Sequence, residues 1–187
     1  IVLHTPYLVN LASPDDDIWG KSAVVLADAV KRAPLISAGY IVTHIGSHKG
    51  AGYEAGLERI EKAVRYALKA GISTQDRSDP SILSLSKDEG RSGRSVCDEG
   101  PVIALEMGSG SGNSIGSRFE QMEDILSRLT DVSDRVGICI DTAHLWGAGY
   151  DISTEQGVNS MFDLLKRHVG FERLKVVHLN DTQMPLD

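Results

Sequence analysis

Five short apolar runs divide the chain: Ile1 to Leu3, Tyr40 to Thr43, Val102 to Leu105, Val136 to Ile140 and Leu174 to Val177. Each is continuous rather than alternating and too short for a buried helix, as expected of strands covered on both faces. The stretches between them carry a helical period instead. Ile18 to Ala33 places Val25, Ala29 and Val30 together, with Asp15, Asp16 and Asp17 near the start, where carboxylates suit the positive end of a helix. Pro34 should end or kink that helix. Tyr53 to Ala70 aligns Leu57, Ile60, Val64 and Leu68 on one stripe, and Phe119 to Leu129 and Val158 to Val169 show the same periodicity. Strand alternating with helix predicts βαβ units and a parallel sheet.

The residue following each run is an imidazole or a carboxylate: His4, His44, Glu106, Asp141 and His178. Their separations are 40, 62, 35 and 37 residues, three of which match one strand–helix unit. The long interval contains Ser73 to Pro101, a polar stretch expected to form a flexible surface insertion without chemistry of its own. In a parallel barrel, functional side chains gather where the strands end. Five such ends would aim these groups into one bowl, with His144 on the loop just above Asp141. An open doubly wound sheet also collects ligands at its strand ends, but the first strand is followed by no Gly-rich phosphate fingerprint, which counts against it.

Composition narrows the classes. The 187 residues are within the size of one domain, and with 41% hydrophobic and 24% charged residues the chain is globular rather than disordered. No apolar run approaches the ~20 residues of a membrane span, and nothing at the start reads as a secretory signal. Two cysteines, Cys97 and Cys139, give no disulfide framework, so a reducing, cytoplasmic compartment is expected. The net charge of -7 argues against a generic basic coat for nucleic acid. It leaves DNA open, because cations held in a cleft supply positive field locally. The chain opens on Ile1 and closes on Pro185-Leu186-Asp187, and both ends read as cut from something longer.

Imidazole and carboxylate are the common non-thiol ligands of zinc and also suit manganese or iron. A carboxylate such as Glu106 is able to bridge two cations, and a pair roughly 3.5–4 Å apart suits phosphodiester hydrolysis. Any one such residue alone would ordinarily be a structural group; five in successive repeats point to a polynuclear metal site. Of the remaining candidates, His168 is expected to be solvated in Lys166-Arg167-His168. His48 is expected to support a ligand or touch substrate, and Asp181 to stabilise a turn. Trp146, Tyr150 and Tyr7 read as packing around loops or cleft walls.

These segments resemble the endonuclease IV family, in order and along nearly the whole chain apart from Ser73 to Pro101. The matching blocks are HTPYLVNLASP (His4 to Pro14), HIGSH (His44 to His48), EMGSGSGNSIG (Glu106 to Gly116), IDTAHLWGAGYD (Ile140 to Asp151) and HLND (His178 to Asp181). The IDTAH…AGYD block is the most specific. The resemblance implies a (β/α)8 TIM barrel of the xylose-isomerase-like superfamily carrying three zinc ions, with manganese or iron as alternatives. It implies an apurinic/apyrimidinic endonuclease of base excision repair that cleaves double-stranded DNA 5′ to an abasic site; separately, the sequence leads us to expect neither a membrane nor an obligate protein partner. A cytoplasmic setting is expected, or a nuclear or mitochondrial one in a eukaryote. By motif position, His4, His44 and Glu106 resemble the ligands of the first metal. Glu106, Asp141 and His178 resemble those of the second and the catalytic group, and His144 resembles a ligand of the third. Tyr7 is similar to an aromatic that the family presses into DNA.

Departures accompany the match. Ile45 stands where the family has proline, which should loosen that turn. Met107-Gly108-Ser109 replace an Asn-Thr-Ala, removing an amide near the metals. The family's Asp-x-His beyond HLND and its last-strand glutamate have no counterpart before Asp187. About five strand–helix units cannot close an eight-stranded barrel. The expectation is a partial TIM-barrel domain spanning residues 1–187, poorly active alone. Two alternatives remain. A metal-dependent sugar isomerase or epimerase uses the same barrel, but HIGSH and the Asp141–His144 spacing fit it less well. A degenerate homologue would bind metal or DNA without turnover.

Overall fold

The computed structural model describes residues 1–72 and 100–186. The expected insertion lies outside them except for Gly100 and Pro101.

Each apolar run forms a strand that takes in the polar residue after it, although the first strand begins at Val2 and leaves Ile1 outside. The strands are β1 (Val2–His4), β2 (Tyr40–His44), β3 (Val102–Glu106), β4 (Val136–Asp141) and β5 (Leu174–His178). They form one parallel sheet in the order β1-β2-β3-β4-β5. Spatial order follows chain order without reversal, which is barrel order and removes the doubly wound alternative.

Side-chain alternation gives the sheet two unlike faces. Ile41, Ile103, Leu105, Ile138 and Ile140 join the large core packed under the helices. Among the described residues, the opposite face carries a small apolar layer, Val42, Ala104 and Cys139 with Val176 against them. Two residues further along their strands, on that same inner face, stand His44, Glu106, Asp141 and His178. The register is staggered. His4 pairs with Val42, His44 with Glu106, Glu106 with Cys139, and Asp141 with His178. The polar groups therefore occupy successive rows that climb around the sheet, as tilted barrel strands require.

The helices are α1 (Asp16–Arg32), α2 (Tyr53–Ile72), α3 (Phe119–Ser127), α4 (Thr142–Gly147) and α5 (Glu155–His168). Asp15 caps α1, its carboxylate accepting from the N–H groups of Asp17 and Ile18. Pro34 does stop that helix, within a 3₁₀ turn over Ala33–Ile36. Thr154 caps α5 by accepting from Gly157 N–H. The third helix ends earlier than its periodicity predicts, and a 3₁₀ segment, Thr130–Arg135, leads from it into β4.

His168 is not solvated as expected. Its Nδ1 lies 2.7 Å from Glu123 and its Nε2 3.6 Å from Glu120, so it ties α5 to α3. Ile45 does not loosen its turn either. The side chain is buried in the core and its carbonyl accepts from Leu11 N–H at 2.9 Å. Gly46 follows at φ +95°, a conformation open to glycine, with Asn10 Oδ1 where a side chain would begin. That oxygen accepts from Ser47 N–H at 3.0 Å, so Asn10 pins the loop after β2 to the loop after β1.

Candidate metal centre

Glu106 ends β3 with only 2% of its surface exposed, and both of its oxygens face imidazoles. Oε2 lies 3.0 Å from Nε2 of His4 and 3.4 Å from Nδ1 of His44. Oε1 lies 3.2 Å from Nδ1 of His178 and 3.5 Å from Nδ1 of His144. The rings crowd together, with centroids 5.2 Å apart for His4 and His44, 5.5 Å for His4 and His178, and 6.0 Å for His44 and His144. A buried carboxylate is costly unless matched by positive charge. Among the described residues, the ion pairs of Glu106 are all with histidines.

Local hydrogen bonds orient these rings. His4 Nδ1 lies 2.6 Å from the Thr5 carbonyl, which can only accept, so Nδ1 carries the hydrogen. Nε2 then turns a lone pair toward the anionic Oε2. Two acceptors meeting at 3.0 Å call for a proton or a cation between them. His144 Nδ1 meets the Met107 carbonyl at 2.9 Å in the same way, leaving Nε2 as its free donor atom. The Met107 side chain lies in the core, so this position contributes through its backbone.

Asp141 serves two elements. Its Oδ1 accepts from the N–H groups of Ala143 (2.8 Å) and His144 (3.1 Å), capping α4. This capping fixes where His144 stands, on a short helix rather than the loop expected. Oδ2 lies 3.7 Å from His178 Nδ1 and accepts from the side-chain amide of Asn180.

The donor set suits divalent cations. His4, Glu106 and His178 offer atoms within 4.8 Å of one another, as do Glu106, Asp141 and His144, with Glu106 common to both groups. The motif-based grouping differs in pairing His44 rather than His178 with His4, and in separating His144 from Asp141. His44 nevertheless stands against the same carboxylate oxygen as His4. Burial is the largest influence on His44 and holds its imidazole below the ordinary value near 6.5, against the opposing pull of Glu106; a neutral ring is the ligating form. Beneath the site, burial pushes the Cys139 thiol up to about 12, with Glu106 and Asp141 adding to it, so it stays protonated.

All six expected metal-site residues, His4, His44, Glu106, Asp141, His144 and His178, thus meet at one rim. Tyr7 stands at its edge, 83% exposed, with its ring edge-on to His44 at 5.5 Å. His48 is turned to its own loop, where Nδ1 accepts from Gly52 N–H. Asp181 accepts from Thr182 N–H, a turn contact. Trp146 Nε1 donates to the Met184 carbonyl, and Tyr150 accepts from Phe119 N–H. Asn180 and Thr142 are given no role by sequence reasoning, although both lie within the matching blocks, Thr142 directly after β4 and Asn180 two residues beyond β5.

The whole chain, residues 1–187, matches the xylose isomerase-like TIM barrel family. It is 36% identical over 186 residues to a protein of Halothermothrix orenii named "Probable endonuclease 4", covering 100% of this chain and 57% of that protein. The crystal structure of endonuclease IV from Thermus thermophilus superposes with a TM-score of 0.71 at 31% identity, over 99% of this chain and 54% of that one. A D-tagatose 3-epimerase-like protein superposes at 0.67 with 19% identity, over 97% of this chain and 56% of that one, a likeness of fold alone. The chain spans a little over half the length of the curated relatives it matches.

Proposed function

The chain belongs to the endonuclease IV family of xylose isomerase-like TIM barrels, and from that premise we propose that it acts in metal-dependent hydrolysis of DNA, cutting the phosphodiester 5′ to an abasic site. Zinc is the proposed metal, since nitrogen and oxygen donors of this kind suit it. The observation that carries the reading is the buried Glu106 carboxylate set between four imidazoles.

Residue roles follow from position. By motif position, His4, His44 and Glu106 would hold one cation and Glu106, Asp141 and His178 another, with His144 beside them. When bound, such cations supply positive charge that polarises a phosphodiester and acidifies water. The rest falls to the protein's own groups. The Thr5 and Met107 carbonyls fix two imidazole tautomers before substrate arrives, and two N–H groups of α4 hold the Asp141 carboxylate in place. Tyr7, exposed at the rim, offers an aromatic face on which an exposed base of the damaged duplex would stack.

The test is incubation of the zinc-loaded protein with a duplex carrying one abasic analogue and, separately, with ketoses. Cleavage on the 5′ side leaving a 3′-hydroxyl supports the reading. Ketose isomerisation with the duplex intact would replace it with the sugar-converting alternative.

A further inference from the structure

The loop after β5 makes a contact that the metal ligands alone do not account for. Asp141 has two oxygens, and the α4 backbone takes Oδ1 through two N–H groups. Oδ2 is the oxygen that faces His178, and the side-chain amide of Asn180 donates to it. Asn180 is itself held. Thr142 Oγ1 donates to its carbonyl at 2.6 Å and accepts from its N–H at 2.8 Å, a reciprocal clamp between the first residue of α4 and the second residue beyond β5.

Resting on the metal-centre reading above, we propose that Asn180 is a positioning residue. Clamped by Thr142, its amide occupies one lone pair of Asp141 Oδ2 and sets the other toward the space between His178 and Glu106. A carboxylate oxygen accepts two hydrogen bonds, so one donor leaves room for one cation. The choice of an amide matters physically. A lysine in that place would compete with the cation as a point charge, and an aspartate would add a repelling anion. A neutral donor orients the ligand oxygen without changing the charge of the site, as outer partners of metal ligands commonly do. A turn-forming asparagine would need only its backbone for the Thr142 clamp; the side-chain bond to Asp141 is what the proposal adds.

The test uses the whole chain and cobalt(II), whose visible spectrum reports ligand geometry. Asn180→Ala is expected to weaken the weaker of the bound cobalt ions by about 10–100-fold and to alter the absorption bands. Asn180→Gln should recover part of the loss. Thr142→Val should resemble Asn180→Ala, whereas Thr142→Ser should not. Asp181→Asn, next in sequence but bonded among the described residues to Thr182 alone, should match the parent. An Asn180→Ala or Thr142→Val protein with parental affinity and spectrum overturns the proposal. Glu106→Ala separates the two levels. If it abolishes cobalt binding while Asn180→Ala changes nothing, only the positioning role falls; if it leaves cobalt binding intact, the metal centre itself falls.

Discussion

Nε2 of His4 and Oε2 of Glu106 stand 3.0 Å apart, at the ends of strands separated by 102 residues. The parallel sheet supplies this approach, because β2 carries His44 between them in register with Glu106.

One consequence is thermal. A ligand that binds only the folded state raises the melting temperature, and its removal lowers it. Chelation of a metal-loaded sample should lower the melting temperature by several degrees. The Glu106→Ala protein should melt alike with and without chelator. Scanning calorimetry with and without EDTA checks both.

A second concerns pH in the metal-free protein. His44 is held below its ordinary value near 6.5, chiefly by burial. The folded state therefore binds fewer protons than the unfolded state as pH falls through 6.5. The stabilising contribution is full above that value and is lost progressively as pH drops toward the lower folded value, with a slope of at most about 1.4 kcal/mol per pH unit. Urea midpoints measured between pH 7.5 and 5 should decline on acidification, and His44→Asn should flatten part of that decline.

The five strand ends are legible in the sequence because a continuous apolar run and the polar residue after it carry a local signal that tertiary structure has no reason to override. The inner and outer faces are not, since runs buried on both sides do not alternate. Helix α4 leaves no trace because six residues give too little periodicity, although Asp141, its cap, stands out as a strand end. His168 looks solvated in sequence because Lys166 and Arg167 adjoin it, whereas Glu120 and Glu123 approach from another helix. The Asn180–Asp141 bond joins residues 39 apart and is invisible to any local pattern.

A third prediction tests the packing that carries the rim. Phe119 is fully buried at the start of α3, its ring edge-on to Tyr150 at 5.2 Å and its N–H donating to the Tyr150 hydroxyl. Phe119→Ala should cost about 3–5 kcal/mol of stability, and Tyr150→Phe about 1 kcal/mol. Denaturant titration of the two variants measures the difference.

The most direct test is crystallographic. Anomalous difference maps from zinc-soaked crystals should show density on both sides of the Glu106 carboxylate, one peak beside His4 and His44 and another beside His178 and Asp141. Zinc bound only elsewhere, with the Glu106 carboxylate left to its imidazoles, would contradict the account.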